Sequence, residues 1–186
     1  MDEFIALIRS HIQLSSEAEN QIRKVAKTET LPKGHLIVDE GVTCRKMYFL
    51  VKGTVRSYFY QKGKDVTYWI YPEHNMFTSW SSYLMKKASA EFIETTDDSE
   101  IVHISYDNWQ MLYNNYPELD QFGRLIMEEQ IALLNDFYMG YYFLSAKEKY
   151  DLIVSVFPDI TQRANLGHIA SMLGISQETL SRIRGK

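Results

Sequence analysis

The chain is poor in the residues that cross-link or punctuate a fold. Among 186 residues there is one cysteine, Cys44, with only 4 prolines and 9 glycines. A single thiol excludes a disulfide within the chain and any four-cysteine zinc or iron–sulfur site that one chain could build. No apolar run approaches the roughly 18 residues that a membrane-spanning helix needs. The chain opens Met1-Asp2-Glu3, acidic where a secretory signal is basic and then apolar, so a cytoplasmic protein without membrane contact is expected. No glycine-rich phosphate loop is present. The histidines, His11, His35, His74, His103 and His168, contain no His-x-His pair, the usual seed of a metal-dependent β-roll enzyme. Cys44 sits in an apparent turn with no flanking group to activate it. No catalytic residue, metal or cofactor is therefore expected.

What is present is core-forming material: 45% of residues are hydrophobic, and there are 13 tyrosines, 9 phenylalanines and 3 tryptophans. That composition excludes a disordered chain. Charge is uneven. The net charge is −4, yet residues 161–186 carry Arg163, Arg182, Arg184 and Lys186 against the single acid Glu178. A basic tail on an acidic protein is where a polyanion would bind.

Periodicity divides the chain. Residues 2–27 read as helical, with Phe4, Ile5, Ile8 and Ile12 on one face and Ile22, Val25 and Ala26 on another after Ser15-Ser16. From Leu31 the period becomes two. Segments 35–39, 47–51, 54–60, 66–71, 91–95 and 100–105 are short, β-branched or aromatic, and separated by turn residues such as Gly34, Gly41 and Gly53. This predicts an antiparallel sandwich or roll. Pro117 then heads a pattern running to Leu144, roughly 40 Å of helix at the usual rise per residue. Leu119, Phe122, Ile126, Leu133, Phe137, Tyr141 and Leu144 line one face, and Leu125, Ile131, Leu134, Tyr138 and Tyr142 a second. A helix apolar on two faces must be covered on both. The chain's own roll covers one, and a second copy of the helix is expected on the other, with Phe122 and Ile126 in the seam. Ser145 and Glu148 form a capping box that restarts a helix. The expected organisation is 1–116, a sensor roll; 117–144, a dimerisation helix; and 145–186, a terminal helical domain.

The terminal segment is the most specific. In Leu166-Gly-His-Ile-Ala-Ser-Met-Leu-Gly-Ile-Ser-Gln-Glu-Thr-Leu-Ser-Arg-Ile183, Ile169 and Leu173 lie one turn apart and Ala170 is small where two helices must cross. Gly174 can adopt the positive φ that ends a first helix, Ser176 can cap a second, and Leu180 and Ile183 can seat it. The pattern predicts a helix-turn-helix. Gln177, Glu178, Ser181, Arg182 and Arg184 then point away from the packing face, able to reach base edges and phosphates of double-stranded DNA.

With that motif in place, the whole chain resembles the Crp/Fnr (catabolite-activator) family of transcription regulators, and its Leu-Gly-Ile-Ser-x-Glu-Thr-Leu-Ser-Arg-Ile stretch is similar to the Bacteroidetes branch. The family's glycine-punctuated strands are matched by Leu31-Pro-Lys-Gly34, Glu40-Gly41 and Phe49-Leu-Val-Lys-Gly53-Thr-Val-Arg56. The resemblance implies an α+β fold: an N-terminal cyclic-nucleotide-binding-like β-roll (jelly roll), a long dimerisation helix and a C-terminal helix-turn-helix. It also implies a homodimer, a small-molecule effector and RNA polymerase as a partner. By the same resemblance the base-reading positions fall on Gln177, Glu178 and Arg182.

The chain departs from the family where nucleotide chemistry resides. Cyclic-nucleotide-binding members carry Gly-Glu at the start of a phosphate cassette and Arg-Ser or Arg-Ala at its end. Here Thr78-Ser79 stands in the first place and Lys86-Lys87-Ala88-Ser89-Ala90-Glu91 at the second, and no arginine lies between Arg56 and Arg124. Without a guanidinium fork, cyclic AMP or GMP binding is not expected. An altered effector pocket would use Thr78, Ser79, Tyr83, Lys86, Lys87, Ser89 and Ala90, with Tyr68, Tyr71 and Trp80 nearby. The competing reading is a sensory or scaffolding module that does not bind DNA, since relatives usually extend a few residues beyond the position of Lys186.

Overall fold

The computed structural model describes residues 1–185; Lys186, which belongs to the expected 145–186 domain, lies outside them. Two short helices, α1 (Asp2–His11) and α2 (Ser16–Val25), open the chain. The helical reading of 2–27, with its break at Ser15-Ser16, is corrected only at its C-terminal end. Ser15 breaks the helix by accepting the Ala18 amide as an N-cap, and Lys27–Leu31 forms strand β1. Four of these five strand residues are exposed, so no alternating apolar signal marked it.

Strands β2 (Leu36–Val38), β3 (Lys46–Lys52), β4 (Val55–Gln61), β5 (Lys64–Tyr71), β6 (Met76–Phe77), β7 (Phe92–Thr95) and β8 (Ser99–Ser105) complete two four-stranded antiparallel sheets. The orders are β1-β8-β3-β6 and β2-β7-β4-β5. Their facing sides bury Tyr48, Leu50, Phe77 and Ile101 against Val55, Tyr71 and Ile93. Gly53 makes the β3–β4 turn with φ +101°; a Cβ there would meet the Asp98 carbonyl at 2.8 Å, so no other residue fits without displacing the neighbouring turn.

The outer side of the first sheet (Met47, Phe49, Val102, Ile104) is covered by α1, by α4 (Tyr106–Asn115) and by the first half of α5 (Pro117–Phe143). Phe4 packs on Phe49 and edge-on to Trp109, with ring centroids 5.3 and 6.3 Å apart. Helix α3 (Trp80–Met85) bridges β6 and β7, and α6 (Ala146–Val156), α7 (Ile160–Arg163), α8 (Leu166–Met172) and α9 (Gln177–Arg184) follow α5.

Helix α5 changes environment along its length. Leu119, Phe122 and Ile126 are buried in the chain's own core, Phe122 to 1% exposure. This corrects the expectation that Phe122 and Ile126 lie in a seam between copies: the first turns of α5 are spent on α1 and α4. Beyond residue 130 the apolar face turns outward, leaving Ile131 62%, Leu134 61% and Tyr142 63% exposed. Leu133 and Phe137 pack on the terminal helices, and Phe137 meets Trp69 edge-on at 4.7 Å.

Candidate effector pocket and nucleic-acid interface

The terminal unit begins at Asn165, whose side chain accepts the Gly167 amide at 2.7 Å and starts α8. Gly174, with φ +66°, turns the chain, and a Cβ on it would come within 3.0 Å of the Tyr141 ring. The Ser176 hydroxyl accepts the Thr179 amide and starts α9. Ile169, Ala170, Leu173 and Leu180 close over Ile153, Phe157 and Ile160 in one apolar cluster. Leu180 therefore fixes the rotation of α9, and Gln177, Glu178, Ser181, Arg182 and Arg184 are all exposed. Arg182 lies against the Thr179 hydroxyl at 3.3 Å. The Ser176 hydroxyl beside Glu178 holds that carboxyl below its ordinary range.

The unit is tied to the roll. Helix α8 lies on β5, and the Ser171 hydroxyl donates to the Thr67 carbonyl at 3.1 Å. Arg163 pairs with Glu73 at 2.7 Å. Burial alone would raise the Glu73 carboxyl, but the Gly53 amide and Arg163 together hold it below its usual range. Beneath α8 the outer side of the second sheet carries a buried guanidinium. Arg56 donates to Glu94 at 2.8 Å, to both oxygens of Asp65 at 2.7 and 2.6 Å and to the Thr67 hydroxyl at 2.6 Å, and its guanidinium carbon lies 4.0 Å from the centre of the Tyr58 ring. Burial first, and then the Arg56 charge, lower the His168 pKa. Sequence reading did not find this network. Its signal is the pairing of Arg56 with Glu94 across β4 and β7, which appears only once the register is known.

At the cassette, the hydroxyls serve one another. Thr78 is buried and donates to the Lys46 carbonyl at 2.8 Å. Ser79 and Ser89 are 3.0 Å apart, and Ser89 donates to the Glu91 carbonyl at 2.8 Å. Ser82, which the sequence did not single out, accepts the Cys44 amide and donates to the Lys87 carbonyl. Tyr83 is buried edge-on to Tyr106 at 5.2 Å, toward α4. Lys86, Lys87 and Ala90 are exposed, and the Lys86 ammonium sits 4.7 Å over the Tyr106 ring, on the side of α4. Of the expected set only Ser79 and Ser89 thus meet; Thr78 is buried but bonds Lys46 and Cys44 instead.

The interior beside them is filled by rings. Tyr48 stacks on Phe77 at 5.1 Å, and Tyr71 lies 5.4 Å from the same ring. Burial pushes the Tyr71 hydroxyl pKa up to about 12. Glu91, in phase with inward-facing Ile93, accepts a hydrogen bond from Tyr68, and burial pushes its carboxyl up to about 7. A carboxyl at this spot offers no positive charge to a phosphate, where a guanidinium would pair with one.

Residues 28–116 match the model of the cyclic nucleotide-binding domain family. No curated protein matches the sequence significantly. Among solved structures, FixK2 from Bradyrhizobium japonicum superposes with a TM-score of 0.72 at 16% identity, over 87% of this chain and 83% of that one. The c-di-GMP responsive global regulator CLP from Xanthomonas campestris gives 0.67 at 13% identity, over 92% and 90%. A Crp/Fnr-family transcriptional regulator from Eubacterium rectale gives 0.68 at 16% identity, over 91% and 82%. At these identities the likeness is one of fold.

Proposed function

We propose that the protein, whose residues 28–116 match the model of the cyclic nucleotide-binding domain family and whose fold is like that of a Crp/Fnr-family regulator, is a homodimeric transcription regulator, not an enzyme, that binds double-stranded DNA through α8 and α9. The observation that carries this reading is α9. Leu180 buries one side of it, and the opposite side offers Gln177, Glu178, Ser181, Arg182 and Arg184 to solvent, with Arg182 bonded locally to Thr179 and Glu178 to Ser176. In a helix-turn-helix the first turns of the second helix enter the major groove. Gln177 and Arg182 supply the side chains that pair with adenine and guanine edges, and Arg184 is placed for phosphate.

The dimer reading is supported by the second half of α5. Ile131, Leu134, Tyr138 and Tyr142 recur at helical spacing on an exposed face that a second copy of the helix would cover. Residues 1–116 then act as the sensor, 117–144 as the dimer helix and 145–186 as the reading head. The cassette argues for an effector other than cyclic AMP or GMP, because among the described residues no cation bonds the paired Ser79 and Ser89 hydroxyls, whose partners are each other and the Glu91 carbonyl. The test is selection of bound sequences from a random duplex pool, followed by electrophoretic mobility shift at two salt concentrations. Phosphate-driven binding weakens steeply with salt. A protein that retards no duplex at low salt is a sensory or scaffolding module instead.

A further inference from the structure

The hairpin that joins β4 to β5 carries a residue that its turn does not favour. Gln61 pairs with Lys64 across the two-residue loop Lys62-Gly63, in which both residues have positive φ, +51° and +76°. Such a turn suits asparagine, aspartate or glycine followed by glycine, and a lysine is strained in its first place. Backbone strain of this kind persists where the side chain has a task. Lys62 and Lys64 are both exposed, and Asp65, the acid beside them, is taken by Arg56 at 2.6 Å. Two ammonium groups thus stand at the tip, and the neighbouring acid does not neutralise them.

Packing carries that tip to the reading head. Helix α8 runs in the direction of β5: His168 is close enough to Asp65 to feel its charge, and Ser171 donates to the Thr67 carbonyl. The rise per residue is about 1.5 Å in a helix and about 3.3 Å in a strand. Lys64, at the start of β5, is therefore at least level with Leu166, at the start of α8, and the Lys62-Gly63 turn projects past both. The same end of α8 meets the start of α9, since a Cβ on Gly167 would lie 3.6 Å from the Gln177 side-chain oxygen. In a helix-turn-helix the first helix crosses the DNA backbone while the first turns of the second read base edges. The hairpin tip stands on the side where that backbone would run.

We propose that the β4–β5 hairpin is a second DNA contact of this chain, in which Lys62 and Lys64 neutralise backbone phosphates beside the bases that α9 reads. The contact carries no base preference, because an ammonium is a point charge and a phosphate is the same in every sequence. It puts the roll itself on the duplex. The proposal rests on the DNA-binding reading above.

The experiment is an electrophoretic mobility shift of the full chain on its selected duplex at about 50 and about 200 mM salt. Lys62→Asn with Lys64→Thr removes both ammonium groups and keeps residues that suit the turn and the strand. The double variant should bind about tenfold or more weakly at the lower salt. At a slope of about −0.9 per neutralised phosphate, it should also lose about twelvefold less affinity than the parent between the two salts. Its preferred sequence should not change. Lys62→Asn alone should flatten the response about three- to fourfold and melt no lower than the parent, so that weaker binding is not misfolding. Lys24→Gln with Lys27→Gln removes the same charge from α2 and β1, on the side of the other sheet, and should leave the slope unchanged. A parent that binds, with hairpin variants equal to it in affinity and slope, overturns the hairpin contact alone and leaves these lysines to an acidic protein surface. A control pair that flattens the slope as much as the hairpin pair shows net charge at work and also overturns the contact. A parent that retards no duplex overturns the DNA-binding reading itself, and this contact with it.

Discussion

Thr67 joins the sensor roll to α8 through both of its polar groups: its carbonyl accepts the Ser171 hydroxyl at 3.1 Å, while its own hydroxyl accepts from Arg56 at 2.6 Å. The buried guanidinium network and the seat of α8 therefore share one residue. Arg56 is 5% exposed, with Asp65 and Glu94 as counter-charges. Arg56→Ala leaves two carboxylates facing each other beneath α8 and should cost about 3–5 kcal/mol, the usual consequence of breaking a buried pair on one side. Arg56→Met with Asp65→Leu and Glu94→Leu should recover most of that loss. Denaturant titration of the single and triple variants checks it; a single variant as stable as the parent would remove the network from the account of stability.

Assembly separates the two halves of α5. Ile131→Glu combined with Leu134→Glu should give a folded monomer, because both side chains face outward. Phe122→Ala should instead destabilise the protomer by about 3–5 kcal/mol, as loss of a core ring does. Analytical ultracentrifugation with thermal melts distinguishes the outcomes. A dimer that survives both glutamates places the interface elsewhere.

For the reading head, Arg182→Ala should cost about 1–3 kcal/mol on the selected duplex and relax preference at one base pair. Arg184→Ala should weaken specific and random duplexes equally and flatten the salt dependence. If both variants weaken every duplex by one common factor, Arg182 is an anchor and not a reader.

Cyclic AMP titrated into the protein should give no saturable heat in the micromolar range. The Ser79 and Ser89 hydroxyls are committed to each other, Thr78 to the Lys46 carbonyl, and Lys86 lies over Tyr106, so no guanidinium or ammonium of the described residues is at hand for the phosphate. A one-to-one isotherm would show that the interior rings yield to a nucleotide.

The Glu91 carboxyl gives a pH signature. Its pKa in the folded chain is raised to about 7 by burial, from the ordinary 4.5. Between those values the folded state holds a proton that the unfolded state has released, so stability falls as pH rises through this window. Glu91→Gln should leave stability nearly unchanged at the acid side and raise it above pH 7, so that the variant's unfolding midpoint gains on the parent's only at high pH. Equal gains at both ends would mean that the effect is one of packing.

Much of this was legible in the chain. The short β-branched or aromatic segments between turn residues mark six of the eight strands, including β3, which is buried on both faces and does not alternate. Pro117 and the Ser145–Glu148 box mark the ends of α5 and the start of α6, because caps act through their nearest neighbours. The Ile169, Leu173, Gly174, Ser176 and Leu180 pattern places α8, its turn and α9, since each residue there has a local task. Strand β1 escaped because its side chains are exposed, and β6 because two residues show no period.

Local spacing and capping are written in consecutive residues, so the sequence by itself determined six of the strands, the starts of α5 and α6 and the outward set on α9. What only the tertiary structure decided depends on residues far apart in the chain. Phe122 and Ile126 have the same apolar character as Ile131 and Leu134, and only the positions of α1 and α4 make the first pair core and leave the second pair open. Arg56 becomes a structural cation because register sets it beside Glu94 and Asp65, and the Trp109 indole becomes an unpaired donor because no acceptor among the described residues reaches it. Burial and partnership are properties of the packed chain, and periodicity is blind to them.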